Sequence, residues 1–354
     1  MPCAEGIGVK GYRRIWNPAA FQGEGFTRRY FEGWYFKQVD APGQNIVAVI
    51  PGLSFSEDGG AKHAFVQFVR AGSPARYFVY PVDAFWSDPG ASFRIRIGPN
   101  EFSPHGVTLH LADDTGEVRG QLEFGPWTPW PMTRLSPGVM GWYRFVPRME
   151  TYHGVLSMDH RVTGHLTADG MAIDFGEGRG YVEKDWGRSF PSSWIWAQSN
   201  HFRRVGTSVM VSVAKVPWLR EAFVGNIAGL LLDGTLHRFA TYTGARLTCI
   251  ETAPNEAHLT LADKREELDL ALHGRETLNL KAPVLGAMEG RDAESLGGAI
   301  DVTLRRLRGG RATIAFRDTG LHSGIEVMNA KDELGSRPCA SSDAEQDVEA
   351  PPPD

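Results

Sequence analysis

The chain of 354 residues is 42% hydrophobic, 22% charged and 11% aromatic, with 41 Gly and 22 Pro, a globular composition whose frequent chain reversals suit β-structure better than helix bundles. Its formal net charge of −5 resides in Lys331 to Asp354, where seven acidic side chains stand against Lys331 and Arg337, so the rest of the chain is neutral. A neutral body with no Lys/Arg cluster among its aromatics lacks the footprint for phosphate backbones, which excludes nucleic acid as the expected partner.

Cys3, Cys249 and Cys339 are odd in number and far apart, predicting neither a disulfide framework nor a zinc ribbon and fitting a reducing compartment. Residues 1–14 lack the apolar core of a signal peptide, and no run reaches the ~18 apolar residues of a transmembrane helix. A cytoplasmic protein with no transmembrane segment is expected.

In chain order, period-two alternation begins at Phe93, Ile95 and Ile97 and resumes at Val107, Leu109 and Leu111, as half-buried antiparallel strands require. The run Pro126-Trp127-Thr128-Pro129-Trp130-Pro131 cannot donate regular ladder bonds and is expected as a lid or rim loop. Asp169-Gly170 marks a hairpin turn, and Gly176 to Gly180 offers a glycine-rich seam that places a domain divide at 178/179.

Alternation returns at Val209, Val211 and Val213, and Asp233-Gly234 marks a second hairpin. The segment Asn255 to Leu272 mixes helix formers with strand-like alternation. Leu268, Leu270 and Leu272, then Ile300, Val302 and Leu304, then Ala312, Ile314 and Phe316 after the Gly309-Gly310 turn, continue the strands. Many short strands without intervening helices must close or stack, so an all-β barrel or sandwich is expected. Residues 331–354, small and acidic with almost no large apolar side chains, are expected to be a disordered tail.

Several local patterns lead nowhere. Gly6 to Gly11 matches a dinucleotide fingerprint without a preceding strand, Asp174-Phe175-Gly176 lacks the other kinase segments, and no G-x-S-x-G elbow occurs. His153, His160 and His165 have spacings that common metal sites do not use, so no metal is expected unless a hairpin gathers them.

Three segments crowd Trp, Tyr, Phe, Glu, Asp and His together. They read Tyr-Phe-Glu-Gly-Trp-Tyr-Phe-Lys from Tyr30, Gly-Trp-Tyr-Arg-Phe-Val-Pro-Arg-Met-Glu-Thr-Tyr-His-Gly-Val-Leu-Ser-Met-Asp-His from Gly141, and Gly-Tyr-Val-Glu-Lys-Asp-Trp-Gly-Arg-Ser-Phe-Pro-Ser-Ser-Trp-Ile-Trp-Ala-Gln-Ser-Asn-His-Phe from Gly180. Over roughly residues 12 to 330 the chain resembles the tocopherol cyclase family, with a start at Gly11-Tyr12-Arg13-Arg14 similar to its prokaryotic branch. The resemblance implies two lipocalin-like antiparallel β-barrel or barrel-like halves, 12–178 and 179–330. It also implies ring closure of a prenylated quinol to a chromanol without metal or organic cofactor. The implied partner is a small hydrophobic aromatic or isoprenoid ligand, collected by transient contact with a membrane.

Such a closure needs an acid that protonates an alkene and a dry wall that tolerates the resulting cation. If the strand at Tyr181 is extended, Tyr181, Glu183 and Asp185 share one face, and two adjacent carboxyls raise one another's proton affinity. Glu183 and Asp185 are therefore the leading acids, against the alternative of an ion-pair network of Lys184, Asp185 and Arg188. Glu150 and His153 could supply a further acid or relay, with Glu32 and Asp159 in reserve.

Substrate-binding candidates are Trp194, Trp196, Gln198 and Asn200 on one face of the next strand, with Trp34, Tyr35, Trp142, Tyr143 and Tyr152 as further walls. These aromatics could equally form a packed core with satisfied amides. A non-catalytic lipid or isoprenoid carrier is the competing function, and a partner-binding acidic tail a third.

Overall fold

The computed structural model describes residues 14–90, 93–114, 116–218 and 221–339. The first of two antiparallel sheets takes, in chain order, β1 (Tyr30–Val39), β2 (Ile46–Phe55), β3 (Lys62–Arg70), β4 (Arg76–Pro81), β5 (Phe85–Ser87), β6 (Ile95–Ile97), β7 (Asn100–Ser103), β8 (Gly106–Asp113), β9 (Gly116–Phe124), β10 (Thr151–Ala168), β11 (Met171–Asp174) and β12 (Gly178–Gly187). The second takes β13 (Trp194–Ser199), β14 (Ser208–Trp218), β15 (Glu221–Leu232), β16 (Thr235–Ala240), β17 (Arg246–Ala253), β18 (Glu256–Ala262), β19 (Glu266–His273), β20 (Thr277–Val284), β21 (Ala287–Arg308) and β22 (Arg311–Met328). The all-β class expected from the alternation is what the chain adopts.

Two pairings of strands distant in sequence organise the molecule. β1 pairs with β12, setting Tyr35 opposite Glu183, and β13 pairs with β22, setting Trp196 opposite Glu326. The first sheet curls around an apolar interior that includes Trp34, Phe36, Phe102 and Trp186, and the second around its own interior with Ile195, Leu259 and Val302. Because strand side chains alternate, the opposite faces of β1, β12 and β13 meet between the sheets and bury Tyr181, Trp194, Trp196 and Met210.

The hairpin turns fall where expected. Asp169 and Gly170 take φ of 50° and 80°, and Asp233 and Gly234 take 50° and 74°, the doubly positive pair that matches a two-residue turn to the strand twist. Asn255 to Leu272 resolves as β18 and β19, a hairpin rather than a helix. Ala312 and Ile314 depart from expectation: both are exposed, because the end of the β21–β22 hairpin extends past the core that receives Phe316.

Three further expectations are corrected. The chain changes sheet between Gly187 and Trp194, not at Gly176 to Gly180, which is built into β12 and its preceding turn. The Pro-rich segment is a loop, as expected, and is anchored by Trp130, buried against Gly229, where a Cβ would lie 2.4 Å from the indole. Residues 331–339 are ordered: a short helix, Ala330–Glu333, leads to a bridge between Arg337 and Ile250. That bridge carries Cys339 to Cys249, and the two form a disulfide with Cα atoms 4.9 Å apart, because the returning chain supplies a proximity that spacing in sequence does not reveal. Residues 1–13, with the Gly6 to Gly11 pattern, and 340–354 of the acidic tail lie outside the described residues. Among the described residues no helix is long and apolar enough to cross a membrane.

Candidate functional site

A cavity of about 230 Å³ lies between the sheets, lined mainly by apolar side chains and by the carboxyls of Glu183, Asp185, Glu294 and Glu326. Alternation along β12 turns Tyr181, Glu183 and Asp185 toward the gap between the sheets, where Glu183 and Asp185 reach the cavity. It sends Val182, Lys184 and Trp186 into the first sheet's core. Lys184 is there fully buried against Glu32, Nζ to Oε1 2.5 Å, and lies over the Trp34 ring. The alternative network of Lys184, Asp185 and Arg188 is therefore not formed: Arg188 instead donates to the Arg148 carbonyl at 2.8 Å.

Glu183 is held from both sheets. Tyr181 Oη donates to its Oε2 at 2.6 Å, and Trp196 Nε1, from the facing strand, donates to the same oxygen at 3.1 Å. Burial pushes this carboxyl up to about 7; His153 opposes the shift and Asp185 adds to it. With both donors on Oε2, Oε1 is the oxygen suited to carry the proton.

Two other carboxyls share the condition. Glu294 accepts from Tyr35 Oη at Oε1, while its Oε2 is buried without a partner among the described residues. Burial and then Glu326 push it up to about 8. Glu326 accepts from Trp194 Nε1 at 2.5 Å and is pushed by burial to about 7. Glu294 and Glu326 sit opposite each other on β21 and β22, and like charges so placed disfavour joint ionisation.

His153, on β10, bonds Asp185 Oδ1 through Nδ1 at 2.9 Å, and its Nε2 lies 3.7 Å from Glu183 Oε2. Burial lowers its proton affinity, but Asp185 and Glu183 outweigh that and raise it to about 9. The ligand atoms of His153, Glu183 and Asp185 all lie within 4.8 Å of one another, so this trio could also hold a divalent cation. His160 and His165 do not join it: His160 is buried against Phe124, and His165 is exposed on the far part of β10. Cys249, His258 and Cys339 form the other such group, with its cysteines bonded to each other.

The structure brings Glu150, His153, Glu183, Asp185, Tyr35, Tyr143, Trp194 and Trp196 to the cavity wall. Glu150 is partly buried, and burial raises its proton affinity against the pull of Arg188. The other candidates go elsewhere. Gln198 lies beyond the wall and accepts from the buried Lys37 Nζ at 2.9 Å. Asn200 Nδ2 donates to Asp159 Oδ1 and the Gly180 carbonyl, a structural role.

Trp34 faces the first core, because β1 alternation opposes it to Tyr35. Trp142 stacks on the outside of Tyr143, and Tyr152 stacks on Trp186 while donating to the Val146 carbonyl. Proximity in sequence to a wall residue did not put these side chains on the wall.

Sequence reasoning missed Glu294 and Glu326. Glu326 carried a usable signal, an acid inside the strand Gly324-Ile325-Glu326-Val327-Met328, where an isolated carboxyl between apolar neighbours is unusual unless it faces a partner. Glu294 follows a polar stretch, Glu289 to Ala293, with no such contrast. Burial lowers the Lys37 amine to about 7, with Glu294 and Glu183 opposing.

Against known proteins, the family profile described as tocopherol cyclase-like matches residues 101–328. A chloroplastic tocopherol cyclase from Zea mays is 30% identical over 153 residues, 42% of this chain and 30% of the maize protein. A counterpart from Oryza sativa is 28% identical over 119 residues, so the chain spans less than a third of the length of the curated relatives it matches. Among solved structures, an AttH-type protein from Nitrosomonas europaea aligns at a TM-score of 0.51 and 11% identity, covering 92% of this chain and 98% of that one. CghA with Sch210972 aligns at 0.52 and 12% identity, covering 84% and 88%. These likenesses show the fold, two lipocalin-like β-halves.

Proposed function

The chain belongs to the tocopherol cyclase-like family, and from that premise we propose that it closes a ring on a prenylated quinol or related terpenoid by acid catalysis, with Glu183 as proton donor. The observation that carries this reading is one carboxyl, buried at 5% exposure, tied at Oε2 to Tyr181 and Trp196 and holding its proton up to about pH 7 in an apolar cavity. A neutral acid in a dry site is what alkene protonation requires.

The step balances without an oxidant. The Glu183 proton adds to the less substituted alkene carbon and leaves a tertiary cation. The phenol oxygen bonds that cation, and the phenol proton returns to the Glu183 carboxylate. Trp194, Trp196 and Tyr35 line the wall, where an aromatic face is worth about 2 kcal/mol or more to a desolvated cation, and the exclusion of water keeps the cation from hydration.

The test incubates the purified chain with a panel of prenylated quinols and scores isomeric chromanols by chiral chromatography. Turnover by the natural chain and a loss of about 10² or more in E183Q, with ligand binding retained, are expected. Binding without turnover would replace the cyclase with the lipid carrier, and turnover indifferent to E183Q would take the proton donor's role from Glu183.

A further inference from the structure

Residues 126–149 contain no Asp or Glu and three Arg, in a chain that is neutral up to residue 330. Within this stretch Met132, Leu135, Trp142 and Phe145 are all exposed, Leu135 at 80%. Single apolar residues on a surface need no explanation; four so close together do.

They are joined in space as well as in sequence. Trp16 donates to the Thr133 carbonyl at 3.3 Å, and its ring meets Phe145 edge-on at 5.6 Å. Trp142 stacks on Tyr143 at 4.1 Å, and Tyr143, a cavity-lining residue, meets Trp218 and Phe223 of the β14–β15 hairpin at 5.9 and 6.0 Å. Trp142 and Tyr143 thus lead from the outside of the molecule to the cavity wall.

The arginines divide by role. Arg144 is turned inward over Tyr152 and Trp186 and donates to Gln22 at 2.8 Å. Arg134 and Arg148 stay exposed among the apolar residues.

We propose that this rim, Met132, Leu135, Trp142 and Phe145 with Arg134 and Arg148, docks the chain on an anionic lipid bilayer. Indole and phenyl rings settle at the depth of the headgroups, and exposed arginines meet the lipid phosphates there. With no acid in 126–149, Arg134 and Arg148 make this stretch positive on an otherwise neutral body, which suits an anionic surface. A lipophilic ligand then passes from the acyl layer along Trp142, Tyr143 and Phe223 into the cavity without crossing water.

The test is flotation of the full chain with phosphatidylcholine vesicles, with and without phosphatidylglycerol, at low and high salt. The natural chain is expected to float with the anionic vesicles and less so at high salt. L135E/F145E is expected to lower the bound fraction about tenfold or more with its melting temperature unchanged, and R134E/R148E to lose the salt-sensitive part. A natural chain that stays unbound with every vesicle overturns the proposal, as does L135E/F145E or R134E/R148E floating like it. A lipid-free dimer that L135E/F145E dissolves also overturns it, by giving the surface to a second copy of the chain. Flotation needs no substrate, so its failure is separate from failure of the cyclase reading.

Discussion

Glu32 and Lys184 show how much the molecule stakes on a few buried ions. Glu32 accepts from the Gln22 amide at 2.9 and 3.0 Å, from Tyr30 Oη and from Lys184 Nζ, all away from solvent. Lys184→Met would leave that carboxylate without its cation, and removing one partner of a buried pair costs about 3–5 kcal/mol. Urea unfolding followed by tryptophan fluorescence should show a loss of that order; an unchanged midpoint would mean that water already reaches the pair. At the cavity, the proposed acid role of Glu183 predicts that turnover of a prenylated quinol falls as pH rises through about 7, where Glu183 and Glu326 release their protons. The apparent value belongs to the coupled group of acids rather than to one of them, and a rate profile still rising above pH 8 would contradict the acid role.

The strands supply the alternation that makes such a site, and they were the part most legible in the sequence. Tyr181, Glu183 and Asp185 share a face because β12 is extended, and the hairpins at Asp169-Gly170 and Asp233-Gly234 follow from turn chemistry alone. What could not be read was which distant strands face each other: Glu294 joins the cavity wall only once β21 and β1 meet across the gap. The Cys249–Cys339 disulfide was hidden for the same reason. Gly324, on β22, depends on that packing, since a Cβ there would lie 2.8 Å from the Trp196 ring and 3.0 Å from Glu294 Oε1. G324A should cost about 1–3 kcal/mol through overpacking and, by displacing Trp196 from Glu183, reduce turnover more than ligand affinity. A calorimetric and kinetic comparison with the natural chain would check both.

For the whole molecule, the raised carboxyls make stability depend on pH in a defined direction. Glu183, Glu294 and Glu326 hold protons in the folded chain that the unfolded chain releases above about 4.5, so each contributes less as pH rises toward 7 to 8. The share owed to these carboxyls should therefore fall over that window, against the opposite trend of the buried His160 and His201, so E294Q/E326Q should gain denaturant midpoint relative to the natural chain as pH rises; equal slopes in the two would show the carboxyls to be hydrated. The disulfide acts at the same scale, tying residues 90 apart. Its reduction should lower stability by about 2–4 kcal/mol, readable as a drop in melting temperature with added thiol. Two of the three acids are reached across the gap, Glu183 on the first sheet by an indole of the second, and Glu294 on the second by a phenol of the first. Neither half expressed alone would keep its acid in tune, and mixing two separately folded halves should restore proton chemistry only to the extent that they reassemble.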